Sequence, residues 1–160
     1  MSEVREIAVE GKGEMEFILN LFGGDNVFAE PVRTLLDAHH VIRKGFPSKA
    51  LTNLVGQVPV MQQAGMLEKA VGISLRTFQR RKKEAVAKRL SQEQSGRTWK
   101  FAEVLAKAIR VLGTQEDAED WLNRPAIGLD QQRPIDLLAT TAGVEIVEEH
   151  LERLEYGVYA

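Results

Sequence analysis

Apolar residues recur at helical spacing in one segment after another of this 160-residue chain. In the clearest segment, from Phe101 to Leu112, they stand at i, i+3, i+4, i+7, i+8 and i+11 and would form one broad helical face. No segment alternates apolar and polar residues over a length typical of a strand. The sequence therefore predicts an all-α fold.

Prolines, glycines and capping residues indicate where the predicted helices begin and end. We expect a helix from Glu14 to Phe22, a second opened by Pro31, and a third capped by Ser48. Four further helices are predicted in the carboxyl-terminal part, at about 98–112, 115–122, 135–140 and 144–156. The stretch 91–97 has no apolar residue, so we expect an amino-terminal domain at 1–96 and a carboxyl-terminal domain at 97–160.

Charge is distributed unevenly along the chain, although the formal net charge is only −2. Residues 61–100 contain ten Lys or Arg against three Asp or Glu, whereas residues 101–160 contain five against twelve. A basic middle and an acidic carboxyl end indicate two surfaces for two different partners. The alternative is that the two regions pair with each other within one fold.

The composition also excludes several classes of protein and site. There is no cysteine, which excludes disulfides, zinc knuckles, iron–sulfur clusters and thiol nucleophiles. No apolar run approaches the roughly 20 residues of a membrane helix, and the amino terminus lacks a signal peptide. We therefore expect a cytoplasmic protein that does not contact a membrane.

Nothing in the sequence assembles a catalytic centre. No nucleophile, base and orienting group can be combined, and the glycines do not form a phosphate-binding loop. We expect His39 to be packed or capped and His40 to be exposed, and we expect His150 to lie on a solvated acidic face rather than in a metal site. The sequence thus predicts no enzymatic activity, cofactor, metal or small-molecule substrate.

The basic middle contains a short helix, a glycine and a capped second helix. The first helix is predicted over 61–71, Gly72 supplies the turn, and Ser74 caps a helix that runs to about Leu90. This order is the layout of a helix-turn-helix, whose second helix enters the major groove of DNA.

The second helix is predicted to have an apolar inner face and a basic outer face. Leu75, Phe78 and Val86 would pack on the preceding helix. Arg and Lys contact guanine and phosphate, Gln hydrogen-bonds adenine, and Ser or Thr beside first-turn N–H groups suits a phosphate. The alternative is a solvated basic face. The predicted DNA-binding residues are Ser74, Arg76, Thr77, Gln79, Arg80, Arg81 and Lys83.

Two motifs resemble the Xre/MbcA/ParS antitoxins of RES-type toxin–antitoxin pairs. The first is the run Gly-Ile-Ser-Leu-Arg-Thr-Phe-Gln-Arg-Arg at 72–81, which is similar to the helix-turn-helix signature of that family. The second resembles its toxin-binding domain and comprises Trp-Leu-Asn-Arg-Pro at 121–125, Leu-Leu-Ala-Thr at 137–140, and Leu-Glu-Tyr-Gly-Val-Tyr at 154–159. One departure is that Gln131-Gln132 stands where the family usually has glycine.

The resemblance implies an antitoxin that neutralises a RES-domain toxin acting on NAD and that represses its own operon by binding operator DNA. It also implies an Xre/Cro-like helix-turn-helix domain, followed by a small helical domain whose last helix and terminus cover the toxin's active site. The toxin-binding residues expected on this basis are Glu148, Glu152, Glu155, Tyr156, Gly157, Val158, Tyr159 and Ala160.

A homodimer is expected as well, because helix-turn-helix proteins read two half-sites. The candidate seam residues, which could equally be core, are Phe17, Ile18, Leu21, Phe22, Leu35 and Leu36. Two other functions remain open. One is a stand-alone helix-turn-helix regulator whose acidic domain dimerises or senses a ligand, and the other is an interaction module that no longer binds DNA.

Overall fold

The computed structural model of the protein describes residues 11–157, which form eight α-helices and three 3₁₀-helices. The α-helices are α1 (Gly11–Leu21), α2 (Leu35–Lys44), α3 (Ser48–Gln57), α4 (Met66–Val71), α5 (Leu75–Lys82), α6 (Gln92–Leu112), α7 (Gln115–Leu122) and α8 (Thr141–Glu155). The 3₁₀-helices are Pro59–Gln62, Ile127–Leu129 and Pro134–Leu137. Within this range there is no strand, only one isolated bridge between Ala126 and Gln132. The predicted all-α class is confirmed.

Helix α6 is the centre of the fold. Its 21 residues span roughly 30 Å at 1.5 Å per residue, and α1, α2, α4, α7 and α8 all pack against it. Trp99, Phe101 and Leu105 are buried in a single core cluster that extends from Phe17 to Leu151. The basic middle and the acidic end of the chain therefore share one hydrophobic core. None of the helices in residues 11–157 combines the length and apolarity needed to cross a membrane.

The polar stretch 91–97 supplies the N-cap, Ser91, and the first turns of α6. Ser91 and Gln94 make a capping box, so α6 begins at Gln92 and the predicted start near Thr98 is wrong. The hydroxyl of Ser95 donates to the carbonyl of Ser91 at 2.7 Å and accepts from the backbone N–H of Phe46 at 2.8 Å. Because the Ser95 hydroxyl makes both of these hydrogen bonds, the side chain can be buried even though its neighbours in sequence are polar. The division between 96 and 97 therefore falls inside a continuous helix.

Other helix boundaries also differ from the predicted ones because local caps outweigh the apolar pattern. Helix α2 begins at Leu35, where Thr34 and Asp37 form a capping box, and Pro31 lies before it. The predicted helix 61–71 is divided into the 3₁₀-helix Pro59–Gln62 and α4. The segment predicted as helix 135–140 is the 3₁₀-helix Pro134–Leu137, after which Thr140 caps α8.

Helix α5 ends at Lys82 instead of continuing to about Leu90. Leu90 is buried by a long-range contact, and its backbone N–H donates to the carbonyl of Phe46 at 2.9 Å. That bond pulls the chain away from the helix axis. Val86, expected to pack on α4, is 77% exposed as a result.

Most of the apolar residues proposed for a dimer seam are core instead. Phe17, Ile18, Leu21 and Phe22 are buried between α1 and its neighbours, which is the alternative left open above. Leu35 and Leu36 remain exposed, at 66% and 63%. His39 is also exposed on α2, so the expectation that it is packed is wrong.

A tight loop with a left-handed backbone joins the 3₁₀-helices Ile127–Leu129 and Pro134–Leu137. Asp130 and Gln131 have φ of 55° and 63° and are the two non-glycine residues with positive φ in the described chain. The N–H of Gln131 donates to the carbonyl of Ala126 at 2.9 Å, which closes the loop. Glycine adopts this conformation at least cost, so the departure from the family pattern near this position has an energetic price.

Replacing Gln131 by glycine is therefore expected to stabilise the fold by about 0.5–1 kcal/mol, because relief of left-handed strain exceeds the added chain entropy of glycine. Chemical denaturation measures the change. Gln132→Gly is the matched control. Because Gln132 does not have a positive φ, this substitution should lower the free energy of unfolding by about 0.5–1 kcal/mol. Equal destabilisation by both substitutions would contradict the interpretation.

Candidate functional site

The turn between α4 and α5 has the geometry predicted from the sequence. Gly72 has a φ of 80°, and its N–H donates to the carbonyl of Glu68 at 2.9 Å, which ends α4. Ile73 is 2% exposed and anchors the turn in the core. Ser74 then caps α5 by accepting from the backbone N–H of Thr77 at 3.1 Å. These contacts fix the direction in which α5 leaves the core.

Arg97, at the start of α6, braces this turn from behind. Its Nη2 donates to the carbonyl of Lys69 at 2.8 Å, and a Cβ on Gly72 would lie 2.4 Å from its Nη1. Burial lowers the pKa of Arg97, although the charge of Glu93 opposes the shift. Sequence reasoning missed this residue because nothing in its local pattern shows which carbonyl it reaches.

Helix α5 presents the predicted basic face to solvent. Phe78 is buried beneath the helix, whereas Arg76, Gln79, Arg80 and Lys83 are exposed. None of these three cations forms an ion pair with any residue in 11–157. With respect to the described residues, the outer face therefore carries uncompensated positive charge.

The other predicted DNA-binding residues lie at the edges of this face. Ser74 and Thr77 are half-buried, and the hydroxyl of Ser74 donates to Thr77 Oγ1 at 2.9 Å. Arg81 is also half-buried and turns toward the pocket between α5 and α3. Lys82 stands 5.4 Å from the ring centroid of Phe78, a cation–π contact. The structure thus concentrates accessible charge at Arg76, Arg80 and Lys83.

Glutamates of α8 that sequence analysis assigned to the toxin lie against α6. Glu148 is 3.3 Å from Lys100 Nζ, Glu152 is 2.9 Å from Lys107 Nζ, and Glu155 is 3.3 Å from Arg110 Nε. The hydrogen bond from Lys107 lowers the pKa of Glu152. Part of the acidic end therefore pairs with cations of the basic middle and of α6. This agrees with the alternative interpretation of the charge pattern, in which the two regions pair with each other within one fold.

The outward face of α8 consists of different residues, spaced at i, i+3, i+7 and i+10: Ile146, Glu149, Arg153 and Tyr156. Ile146 is 48% exposed and Tyr156 is 78% exposed, and an ion pair between Glu149 and Arg153 lies between them. Gly157 follows in a left-handed conformation with φ of 69°. Val158, Tyr159 and Ala160 lie outside the described residues.

A second exposed aliphatic side chain approaches this face from the loop after α7. Ile127 is 86% exposed, and the adjacent Gly128 lies so close to His150 that a Cβ there would be 2.4 Å from its Cε1. His150 is one helical turn from Ile146, so the loop that carries Ile127 lies beside the part of α8 that carries Ile146. Sequence reasoning missed both isoleucines because the apolar pattern alone does not show which residues stay uncovered.

His150 is packed rather than placed on a solvated acidic face. It is 8% exposed, and its ring stacks on Trp121 with centroids 6.0 Å apart and planes 7° from parallel. Burial lowers its pKa, and the positive charge of Arg153 adds to that shift. No group of three or more metal-ligating side chains occurs in the described residues.

Stability is expected to fall as the pH drops below about 6.5, because His150 is held neutral in the folded state. The unfolded chain takes up the proton more readily, so the His150 contribution is complete above pH 6.5 and is lost as the pH falls through the lower folded pKa. Denaturation between pH 5 and pH 8 should give a smaller slope for His150→Gln than for the unaltered protein. His39→Gln is the control, and an unchanged slope in His150→Gln would contradict the assignment.

Comparison with known proteins relates these two surfaces to two family domains. Residues 107–157 match the family described as the antitoxin Xre/MbcA/ParS C-terminal toxin-binding domain, and residues 37–103 match the antitoxin Xre-like helix-turn-helix domain. The chain belongs to the Xre-type antitoxins. The basic face of α5 lies in the first of these domains along the chain, and the outward face of α8 lies in the second.

A named relative of this Xre-type antitoxin is described as antitoxin Xre from Yersinia enterocolitica serotype O:8 / biotype 1B. The two are 32% identical over 93 residues, which cover 58% of this chain and 62% of the relative. The match therefore spans less than two thirds of the relative's length. Helix α1 lies outside both matched domains, and α6 begins in one and ends in the other.

Proposed function

We propose that this Xre-type antitoxin binds operator DNA with α5, represses its own operon, and blocks a RES-domain toxin with its carboxyl-terminal region. The observation that carries the proposal is that each matched domain has its own accessible surface, one cationic and one with exposed aliphatic and aromatic side chains. Operator DNA and the toxin would both be bound in the cytoplasm, so we expect the protein to act there. The proposal includes no catalytic step.

The DNA half of the proposal rests on the unpaired cations of α5. Arg76, Arg80 and Lys83 point to solvent from a helix whose inner side is anchored by Phe78. Arg can reach the guanine edge bidentately, and Gln79 can bond adenine. Ser74 and Thr77 are positioned at the start of the helix, where first-turn N–H groups suit a phosphate.

The toxin half rests on the outward face of α8, the loop at Ile127 and the terminus. Exposed aliphatic and aromatic side chains in a toxin-binding domain are suited to anchor a partner, because their burial removes apolar surface from water. Glu148, Glu152 and Glu155 already bond to cations of α6, so we assign them mainly to holding α8 in place, with their exposed oxygens at the rim. Tyr156 to Ala160 would extend from this face into the toxin's cleft.

We further propose that the protein forms a homodimer through α2, whose first turn exposes Leu35 and Leu36 side by side. Two copies would then present two α5 helices to two half-sites of an operator. Light scattering is expected to show a dimer at micromolar concentration, and Leu36→Asp should convert it to a monomer. A monomer for the unaltered protein, with and without DNA, would contradict this assignment.

Co-expression with a RES-type toxin, combined with operator binding in vitro, tests the whole proposal. We expect cell growth and cellular NAD to be preserved only when the antitoxin is present, since the family's toxins consume NAD or transfer from it. A stand-alone regulator would bind its promoter but would not rescue growth. A pure interaction module would rescue growth without binding the promoter.

A further inference from the structure

A cavity of about 540 Å³ lies where α1 and the 3₁₀-helix Pro59–Gln62 meet α7. It is separate from both surfaces described above, because neither the outer face of α5 nor the outward face of α8 contributes a side chain to it. One wall comes from α1, which lies outside both matched domains. The two matched domains therefore do not contain all the residues that line this cavity.

The inner part of the cavity is apolar. Phe17 and Leu21 of α1 meet Val60 and Ile109 there, and all four side chains are almost fully withdrawn from bulk solvent. Ligand sites in proteins commonly have volumes of about 300–1,000 Å³ and mostly apolar walls with a few fixed polar groups. This cavity has the size and the floor of such a site.

Among the described residues, the rim of the cavity has three carboxylates and no cationic side chain. Glu116, Glu119 and Asp120 of α7 line it, and none of the other described lining residues is Lys, Arg or His. Carboxamides complete the rim, among them Gln63 and Asn123, which bond to each other at 3.1 Å. An anionic ligand would be repelled by these carboxylates, whereas a cationic ligand would be attracted to them.

Glu119 is held in a fixed position at the edge of the floor. Its Oε1 accepts from the backbone N–H of Val60 at 2.7 Å, and its Oε2 accepts from Gln115 Nε2 at 3.1 Å. A carboxylate has about four acceptor positions, so two bonds leave capacity for a donor from a ligand. Burial raises the pKa of Glu119, and a cation bound beside this carboxylate would lower that pKa again.

We propose that this cavity binds a small organic cation with an apolar body, such as an aralkyl amine. The apolar body occupies the floor, and the ammonium group donates to Glu119 and Asp120 at the rim. The inference goes beyond toxin and DNA binding and does not depend on either. Its failure would leave both unaffected.

Calorimetric titration of the full chain with 4-phenylbutylamine and with the uncharged 4-phenylbutan-1-ol tests the proposal. We expect the amine to bind about tenfold more tightly than the alcohol, a difference of about 1.4 kcal/mol. In an NMR titration, the amide signals of Leu21, Val60 and Glu119 should shift. No shift at these amides with millimolar amine would overturn the site, and equal affinity for the alcohol would overturn the ligand class.

Substitutions on α7 separate the rim from charge in general. Glu119→Gln keeps an acceptor for the Val60 N–H, and together with Asp120→Asn it should weaken amine binding about tenfold while leaving the alcohol unchanged. Asp117→Asn is the matched control, because Asp117 is on the same helix but does not line the cavity. Equal weakening by the control would mean non-specific attraction and would overturn the proposal.

Discussion

Replacing Arg76 and Arg80 by alanine is expected to weaken operator binding by between about thirtyfold and about twenty-thousandfold. Each arginine that reads a base contributes about 1–3 kcal/mol, and each factor of ten is about 1.4 kcal/mol. Both guanidinium groups project from the solvent side of α5 and form no ion pair with residues in 11–157, so neither has to leave an internal partner to reach DNA.

A gel-shift titration at physiological salt measures this loss. Arg124→Ala is the control, because Arg124 is an exposed arginine in the toxin-binding domain and should leave DNA affinity unchanged. The dependence of affinity on salt adds a second readout, since each lost phosphate contact reduces the logarithmic slope by about 0.9. Unchanged affinity of the double variant would refute the role of α5.

Deleting Tyr156 to Ala160 is expected to abolish neutralisation of the toxin. Buried aromatic anchors at interfaces are typically worth about 2–4 kcal/mol, which corresponds to a loss of affinity from about thirtyfold to about a thousandfold. The deletion should leave the fold intact, because Tyr156 is 78% exposed and the ion pair between Glu155 and Arg110 is retained. DNA binding should also be retained.

Co-expression of the shortened chain with toxin, scored by growth and cellular NAD, tests this expectation. Ile146→Asp examines the outward face of α8 by itself, and Val86→Asp is its control, since Val86 is an even more exposed aliphatic residue in the helix-turn-helix domain. Growth equal to that with the full chain would show that the tail is not the inhibitor. Loss of neutralisation only in Ile146→Asp would place the interface on the helix face.

The helix-turn-helix was predictable because its determinants are close together in sequence. Gly72 at the turn, Ser74 at the cap and Phe78 on the inner face all lie within the short segment 72–78, so their spacing specifies the local geometry. The ends of α5 and α6 were not predictable in this way. They depend on contacts of Leu90 and Ser95 with Phe46, more than 40 residues away.

The toxin-binding residues show the same distinction at the level of a surface. Val147 and Leu151 are buried on the inner side of α8, and the glutamates that the family resemblance assigned to the toxin, Glu148, Glu152 and Glu155, pair with cations of α6. In the two ion pairs that are also hydrogen bonds, the lysine on α6 lies 48 or 45 residues before its glutamate on α8. Sequence spacing on one helix contains no information about which helix will lie beside it.

By itself, the sequence determined the all-α class, the capped basic helix after Gly72 and the two family motifs, because caps, turns and helical faces follow from neighbouring residues. Only the tertiary structure decided that α6 runs unbroken through both domains, that Arg97 braces the turn, and that Ile127 and Ile146 stay exposed. Burial and pairing depend on which distant surfaces meet in the core, and that is settled by packing of the whole chain.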